Sequence, residues 1–393
     1  MDLIDVKKLI DRYSIDQLNE SAENYYRSAV PAALFRKPFR LPEMKHLLTE
    51  VSYLCYGLDL LPGDTVLDFG CGVGWSTRIL AACGCNVVGV DVSNTALDLA
   101  ASMTRQWASA ELGFDGTIEF RRYDGKTLPI ETGSIDKVFV LDAFHHVPDQ
   151  IATLRELGRV LRPGGVAGFC EPGPNHSKHP LSQQEMRMHT VIENDIVLAE
   201  IRANAETSGF ADLRVCLSPM LPMMASFDEY QNFPAEDDIR NRFLNATDWR
   251  VKNYPIFFMT KAGIAPRDSR DTNGLSCKLQ LQTDTPVTFS QDAVSEVRFS
   301  AMNDGSATWL KSGVASGAVN VGYEIIDVSG AAKMYFSHLS SSTTAPGDTV
   351  DFVVRIPDLS RGKYSMRVDL VSSEIAWFNT LVGSEITFDV IVY

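Results

Sequence analysis

The sequence predicts an α/β unit with a parallel sheet, followed by an all-β antiparallel sandwich. Over about residues 45–262, short apolar strand-like runs alternate with helical patterns, as in sheets whose parallel strands are joined by helices. Over residues 277–393, short alternating runs rich in Val, Thr, Ser and Gly are separated by turn signals. Evenly spaced runs of this kind are typical of a sandwich of about seven to nine strands. The length of 393 residues suggests two or three domains.

Composition and charge limit the classes of function. Apolar residues make up 45% of the chain and charged residues 22%, which is ordinary for a globular protein. The net charge of −14 disfavours a nucleic-acid partner, because binding to a phosphate backbone needs a basic surface. Seven scattered cysteines form no metal-finger or disulfide pattern, so we expect a cytoplasmic protein. We expect no signal peptide, because the start of the sequence lacks a basic segment followed by an apolar stretch, and no membrane span, because no run approaches about 20 apolar residues.

Residues 1–44 are predicted to be helical. Apolar residues repeat at helical spacing from Leu3 to Ile10, and a second segment begins at Asp16 before Pro38 interrupts the pattern.

A glycine-rich turn follows the first strand of the α/β unit. The apolar run Val66–Phe69 leads into three glycines at alternate positions in 70–74, and a helix is predicted over 76–82. Glycines let the backbone approach a ligand closely, and the first helical turn offers unpaired N–H groups. The dinucleotide fingerprint would need its third glycine where Trp75 stands, which argues against NAD or FAD. Asp68 suits a ligand that carries an ammonium and a sulfonium.

Polar residues follow the later strands of the unit. Asp91 ends the strand Asn86–Asp91, where a carboxylate can accept two hydrogen bonds from a ribose diol. Ser93-Asn94 and Asp149 are predicted to cap helices, and Glu171 follows the predicted fifth strand, 166–170. Because ligands bind beyond the carboxyl ends of parallel strands, we expect one group of side chains to converge at a single edge of the sheet. The group is Asp68, Asp91, Asp124, His145, His146 and Glu171.

These residues resemble the class I S-adenosylmethionine (SAM)-dependent methyltransferases, whose first motif has the form D-x-G-x-G-x-G, followed by an acid that ends strand two. The resemblance covers about residues 45–262 and includes Tyr123-Asp124-Gly125, the fourth strand 136–142 and the turn 161–165. It implies a Rossmann-like methyltransferase domain, SAM as the cofactor, and a helical cap (1–44) that would bring Tyr25, Tyr26 and Arg27 towards the acceptor, unless the tyrosines only pack the cap on the core. The cofactor-binding residues that it implies are Asp68, Gly70, Cys71, Gly72, Gly74, Asp91, Val92, Asp124, Gly125 and Leu141.

Methyl transfer to a hydroxyl group needs a base, and histidine is suited to neutral pH. His145 and His146 stand where many class I members carry a His pair whatever their substrate, which favours a role as pocket walls. His176 or Glu171 is therefore our preferred base. A metal alternative would use Glu171, His176, His179 and His189, but their spacing is not a recognised ligand pattern, so no metal is predicted.

The rest of the α/β unit leaves the common pattern after Glu171. Residues 172–180, with three prolines, are predicted to be an irregular loop over the cleft, and residues 183–208 are predicted to be helical. Further predictions are strand six at 213–217, a helical insertion at 227–248, an antiparallel last strand at 254–260 and a linker at 263–276.

The predicted sandwich, residues 277–393, resembles the carbohydrate-binding domain of O-antigen polysaccharide ABC transporters. The resemblance rests on Trp309, Tyr323, Pro346-Gly347, Gly362-x-Tyr364, Asp369-Leu370-Val371 and Trp377-Phe378, which would serve equally as the aromatic core of a generic sandwich. Together the two resemblances imply SAM-dependent O-methylation of a sugar in a cell-surface glycan or its precursor. The alternatives are methylation of a small natural product or lipid, with the sandwich forming a homo-oligomer, and a non-catalytic glycan-binding or assembly protein.

Overall fold

The computed structural model describes residues 2–28, 36–109, 116–232, 237–265, 267–291, 295–314 and 316–393. The chain divides into two compact units. The first unit, called the α/β unit below, consists of Met1–Leu60 and Asp64–Ala265, and the second, called the β unit, consists of Leu61–Gly63 and Pro266–Tyr393. Each unit has its own buried hydrophobic core.

Seven strands in the described part of the α/β unit form one mixed sheet, which confirms the predicted Rossmann-like fold. The strand order is β3-β2-β1-β4-β5-β7-β6, with β1 to β5 parallel and β7 antiparallel to both of its neighbours. The strands are β1 Thr65–Phe69, β2 Asn86–Asp91, β3 Ile118–Arg122, β4 Ile135–Leu141, β5 Leu161–Cys170, β6 Phe210–Val215 and β7 Ile256–Lys261. The central strands are covered on both faces, which explains why they are almost continuously apolar in sequence.

The predicted turn at 161–165 belongs to β5. Leu161 pairs with Ile135 and Val166 pairs with Lys137, so the residues between Leu161 and Val166 bulge out of the ladder inside the strand instead of preceding it.

Helices pack around this sheet, and the predicted caps of two of them are confirmed. The Ser93 hydroxyl accepts a hydrogen bond from Ala96 N, and the Asp149 carboxylate accepts one from Ala152 N. The helices of this unit are α1 Val6–Arg12, α2 Ile15–Ser28, α3 Leu41–Leu58, α4 Trp75–Ala82, α5 Asn94–Ser109, α6 Gln150–Val160, α7 Pro180–His189, α8 Leu198–Ala205, α9 Phe227–Asn232 and α10 Asp237–Asn253. Within the described ranges, no helix has the length and apolar character needed to cross a membrane.

The structure differs from the prediction between residues 172 and 208. The predicted loop contains a 3₁₀ turn at His176–Lys178, and α7 already begins at Pro180, a residue that is favourable in the first helical turn. The single helix predicted at 183–208 is wrong, because residues 190–197 are not helical. Asn194 explains the break: its N–H donates to His145 O at 2.9 Å and its side-chain Nδ2 donates to Val147 O at 2.8 Å, so tertiary hydrogen bonds replace helical ones.

The described part of the β unit is a two-sheet sandwich. One sheet has the order β13-β10-β8, and the other has the order β12-β11-β14-β16-β9, with β15 paired to β14. The strands are β8 Lys278–Leu281, β9 Val287–Phe289, β10 Ser295–Met302, β11 Val319–Asp327, β12 Ala332–His338, β13 Thr349–Ile356, β14 Gly362–Ser372, β15 Ala376–Trp377 and β16 Ile386–Val392. The prediction of a purely antiparallel all-β sandwich needs two corrections, since β9 pairs with β16 in parallel and Phe378–Val382 forms a short helix, α11.

The segment predicted as a linker, residues 263–276, packs into the β unit over much of its length. Ser269 is fully buried and donates from Oγ to Gly317 O at 2.6 Å, while its carbonyl accepts a hydrogen bond from Ser372 Oγ at 2.5 Å. Leu275 belongs to the hydrophobic core of this unit. The segment lacks periodicity because backbone and hydroxyl hydrogen bonds, and not an apolar face, hold it in place.

Candidate active site

The glycine-rich loop between β1 and α4 is held against β2 and approached by α2. The N–H groups of Gly70 and Cys71 both donate to Val90 O, at 2.9 and 3.0 Å. Gly72 has a φ of +52°, and a Cβ at this position would lie 2.9 Å from the Tyr26 hydroxyl oxygen. A side chain at Gly72 would therefore be strained and would fill the space above the loop.

Asp91 fixes this loop from the end of β2. Its Oδ2 accepts a hydrogen bond from Gly72 N at 3.0 Å, and its Oδ1 accepts one from Ser93 N at 2.9 Å, across the half-buried Val92. Burial raises the pKa of Asp91. Each oxygen keeps further acceptor capacity, so the carboxylate can still receive the two hydroxyl groups of a ribose.

Asp68 faces the first turn of α4, which begins after Gly74. Its Oδ2 accepts hydrogen bonds from Ser76 Oγ at 2.8 Å and from Thr77 Oγ1 at 2.6 Å. Burial raises the pKa of Asp68 to about 6, because the carboxylate is almost fully removed from water. Asp68 therefore orders the helix start behind the glycines.

The loop after β3 lies beneath α2. Asp124 is exposed, its carboxylate accepts hydrogen bonds from Lys126 N and Thr127 N at 2.7 Å, and its carbonyl accepts one from Asn19 Nδ2 at 2.8 Å. A Cβ on Gly125 would lie 2.7 Å from the side chain of Ile15. Asp124 and Gly125 thus lie at the same edge of the sheet as Asp91, covered by the helix.

Glu23 fastens α2 to the loop after β2. Its carboxylate accepts hydrogen bonds from Ser93 Oγ at 2.6 Å, Thr95 N at 3.1 Å and Thr95 Oγ1 at 2.6 Å. Burial opposes the charge, but these hydrogen bonds outweigh it and lower the pKa of Glu23 to about 2. The sequence places Tyr25 and Tyr26 on this helix but does not reveal the role of Glu23, because one acidic residue on a polar helix face carries no signal of its own.

Glu171 is a fully buried acceptor at the end of β5. Its Oε1 accepts hydrogen bonds from Ala143 N and Phe144 N at 2.9 and 2.8 Å, and its Oε2 lies 3.2 Å from His145 N and 2.6 Å from His145 Nδ1. Burial raises the pKa of Glu171 to about 7. Since both oxygens are engaged by groups of the protein, the geometry favours a positioning role for Glu171 over the role of base.

His145 and His146 lie in the loop after β4, with their ring centroids 3.9 Å apart. His146 Nδ1 is 2.6 Å from Ile192 O, and because a carbonyl only accepts, Nδ1 carries the hydrogen and Nε2 keeps the lone pair. The His146 side chain is 41% exposed, whereas that of His145 is 6% exposed. Burial lowers the pKa of His145 to about 4, which keeps its ring neutral. Leu141, the last residue of β4, packs against the core.

His176 joins this group through Glu193, a residue that sequence analysis missed. His176 Nε2 lies 2.6 Å from Glu193 Oε2 and 3.3 Å from Ser182 Oγ, and the His145 and His176 rings are 5.0 Å apart. Glu193 lies in the break between α7 and α8. The run Glu193-Asn194-Asp195 was a usable signal, since Asn and Asp are poor helix formers.

The other histidines of the metal alternative lie outside this group. His179 Nδ1 accepts a hydrogen bond from Leu181 N at 3.3 Å and caps α7. The His189 ring packs edge-on against Tyr25, with centroids 5.5 Å apart. Of the four residues of the metal alternative, only Glu171 and His176 lie together with His145, His146 and Glu193. These five residues are called the histidine–glutamate group below.

The fold and this site define the class of protein. An open sheet of parallel strands, a glycine-rich loop after β1 and an acid at the end of β2 are the features of a nucleotide-cofactor-binding α/β protein. Residues 67–169 match the family described as a methyltransferase domain. The chain therefore contains a class I SAM-dependent methyltransferase domain, as the sequence predicts.

Known proteins are similar to parts of this chain. A 2-methyl-6-phytyl-1,4-hydroquinone methyltransferase of Synechocystis sp. is 40% identical over 112 residues, which cover 28% of this chain and 33% of the relative. The methyltransferase GfsG of Streptomyces halstedii is 33% identical over 160 residues, 40% of this chain and 55% of the relative. A solved phosphoethanolamine N-methyltransferase of Haemonchus contortus, with S-adenosylhomocysteine bound, aligns at 18% identity and a TM-score of 0.41 over 67% of this chain and 62% of that one. The chain thus spans between a third and about half of the two curated relatives.

Proposed function

We propose that this protein transfers the methyl group of SAM to a hydroxyl group of a sugar, in a cell-surface glycan or its precursor. The observation that carries the proposal is the position of His146. Its Nε2 holds a lone pair, its side chain is accessible, and it lies in the loop after β4, at the same carboxyl edge of the sheet as Asp91 at the end of β2. A base therefore stands beside the loop that is proposed to hold the cofactor.

The cofactor role rests on the close approach at Gly72 and on the free acceptor capacity of Asp91. Asp91 would bind the ribose diol, and the loop 70–74, ordered by Asp68, would approach the rest of the cofactor. The resemblance assigns the adenine end to Asp124 and Gly125. Helix α2 would enclose the site and exclude water. It is held there by the hydrogen bonds of Asn19 and Glu23 and by the packing of Tyr26 against the loop.

SAM, when bound, supplies an activated methyl group. The acceptor oxygen would bond to the methyl carbon while the carbon–sulfur bond breaks and leaves its electron pair on the sulfur. Alignment of the two reactants can supply about 7–11 kcal/mol of the required rate enhancement. His146 Nε2 takes the hydroxyl proton, a contribution of roughly 10²- to 10⁴-fold. Glu171 holds the His145 ring, and the Ile192 carbonyl holds the His146 ring, each in the tautomer that leaves Nε2 unprotonated. This assignment replaces His176 and Glu171 as the preferred base.

The sugar part of the proposal is supported by a groove on the outer face of the six-stranded sheet. Phe336 is 62% exposed, and its ring lies 5.9 Å from that of Trp377. The Trp377 indole packs closely on Gly322, where a Cβ would be only 2.2 Å from the ring. Asn320 and Glu374 supply polar groups beside the two rings. Aromatic faces next to amide and carboxylate groups suit sugar rings, which have one apolar face and a rim of hydroxyl groups.

The hydroquinone named for the Synechocystis relative supports a second candidate, in which the acceptor is a small aromatic or isoprenoid molecule. The same assay separates the two candidates, because nucleotide sugars, glycans and hydroquinones can be offered side by side. Methylation of hydroquinones alone would contradict the sugar proposal. A sandwich that served only to form oligomers would leave glycan affinity unchanged when Trp377 or Phe336 is replaced.

The proposal is tested with the full chain by calorimetry of SAM binding and by methyl-transfer assays. We expect Asp91→Ala to abolish SAM binding, and His146→Ala to lower turnover by roughly 10²- to 10⁴-fold while SAM affinity stays nearly unchanged. Trp377→Ala should weaken glycan binding, whereas Val353→Ala, an exposed change on the other sheet, should not. Full turnover by His146→Ala would show that the base is elsewhere.

A further inference from the structure

Three potential metal ligands converge beside the proposed base. The ring nitrogens of His145 and His176 and a carboxylate oxygen of Glu193 all lie within 4.8 Å of one another. His145 and Glu193 are buried and His176 is half-buried, so the three groups meet below the surface. Sequence spacing gave no such pattern, because the ligands come from the loop after β4, the 3₁₀ turn and the break between α7 and α8.

His145 is already oriented as a metal ligand. Glu171 holds its Nδ1 at 2.6 Å, the arrangement by which a carboxylate fixes the ring of a metal-bound histidine and leaves Nε2 free to coordinate. Nε2 itself makes no hydrogen bond with any described residue, and Glu193 Oε2 is 4.0 Å away. That distance is too long for a hydrogen bond, and it is short enough for both atoms to bind one ion. A buried nitrogen lone pair that accepts no hydrogen bond from the protein points to a bound ligand.

The segments that carry the three side chains are tied to one another. Asn194 N, next to Glu193, donates to His145 O at 2.9 Å. Ser177 N, next to His176, donates to the Asp195 carboxylate at 2.8 Å. The hydrogen bond of 2.6 Å between His176 Nε2 and Glu193 Oε2 holds the remaining pair, and it would open as the nitrogen gives up its proton to coordinate.

We propose that His145, His176 and Glu193 bind a first-row divalent transition-metal ion. Two imidazoles and one carboxylate suit Zn²⁺, Fe²⁺ or Co²⁺ better than Mg²⁺ or Ca²⁺, which prefer oxygen ligands. Three protein ligands leave coordination positions open. The catalytic role of the ion rests on the proposed function: the ion holds the acceptor hydroxyl oxygen and lowers the pKa of that hydroxyl, next to His146 and the methyl donor.

Cobalt titration of the full chain, without added affinity histidines, tests the site directly and without SAM or acceptor. We expect one equivalent of Co²⁺ to bind with visible d–d absorption, and Zn²⁺ to displace it. His176→Ala and Glu193→Gln should lose the spectrum, and Glu171→Gln, which changes the carboxylate that orients His145, should weaken Co²⁺ binding by roughly 10- to 100-fold. His338→Ala removes an exposed histidine of the β unit and should change nothing.

Two results would overturn the metal site: no visible spectrum from a chain that still binds SAM, or an unchanged Co²⁺ affinity in Glu193→Gln. The outcomes also separate the two proposals. If methyl transfer to a sugar persists fully after chelation, the catalytic role of the ion falls and the proposed function stands. If one Co²⁺ binds and no sugar is methylated, the site stands and the proposed function falls.

Discussion

Arg250 has a charged side chain that is buried almost without polar partners. Its side chain is 1% exposed, and Nε, Nη1 and Nη2 have no hydrogen-bond partner among the described residues. The guanidinium packs over the Tyr53 ring at 5.5 Å. The nearby Glu50 compensates this charge only in part, because burial raises the pKa of Glu50 to about 7, although Arg250 acts to lower it.

We therefore expect Arg250→Met to leave the free energy of unfolding unchanged or to raise it by about 1–4 kcal/mol, since a buried charge with poor partners costs more than an apolar chain of similar volume. Arg250→Ala is the matched control, because it removes the same charge and leaves a cavity, which should destabilise the unit by about 2–5 kcal/mol. Urea unfolding followed by circular dichroism measures both changes. A loss of stability in Arg250→Met equal to that in Arg250→Ala would show that the charge is well compensated.

At the scale of elements, α2 depends on one carboxylate for its attachment to the loop after β2. The pKa of Glu23 is about 2 in the folded protein against an ordinary value of 4.5. A lowered folded-state pKa means that the stabilisation is complete above about pH 4.5 and is lost as the pH falls from there towards 2.

We expect Glu23→Gln to reduce the free energy of unfolding at pH 6, and expect the difference from the unmodified chain to shrink at pH 3. Glu20→Gln serves as the control, because Glu20 is exposed on the same helix. Chemical unfolding at the two pH values gives the comparison. A difference between the Glu23→Gln and unmodified chains that stayed constant from pH 6 to pH 3 would contradict the electrostatic account.

The same scale shows what the sequence can and cannot predict. β2 was predicted at its observed bounds, because a strand covered on both faces has a continuous apolar run that ends at a polar residue. The helix predicted at 183–208 failed because Ile192 and Ile196 keep helical spacing across the break and are buried in different cores. The backbone at Asn194 is fixed by a hydrogen bond to the His145 carbonyl. Because His145 is distant in sequence, hydrophobic periodicity cannot reveal this contact.

At the scale of the whole molecule, the change in composition near residue 277 indicated a second unit, but the histidine–glutamate group stayed hidden. Its members were individually visible as chemically capable residues. Their assembly depends on how the loop after β4, the 3₁₀ turn and the 190–197 segment pack, which only the tertiary structure determines. The sequence did predict that the glycine-rich loop and Asp91 lie together, since a motif within one β-α-β unit contains them.

The two units have separate cores, which leads to a prediction for thermal unfolding. Phe299 is 1% exposed in the core of the β unit and stacks on Phe352 with centroids 5.3 Å apart, so Phe299→Ala should cost that unit about 3–5 kcal/mol. S-adenosylhomocysteine at 100 times its dissociation constant should stabilise the α/β unit by about 2.7 kcal/mol. Because compact units with their own cores can unfold separately, we expect two calorimetric transitions.

In that experiment, Phe299→Ala should lower one transition temperature and S-adenosylhomocysteine should raise the other. Asp91→Ala is the control, because it removes the side chain proposed to hold the ribose and should abolish the effect of the ligand while leaving both transitions visible. A single transition that both changes shift would mean that the two cores unfold as one cooperative body. Shifts confined to separate transitions would instead show that cofactor binding and sandwich stability are thermodynamically separate properties of this chain.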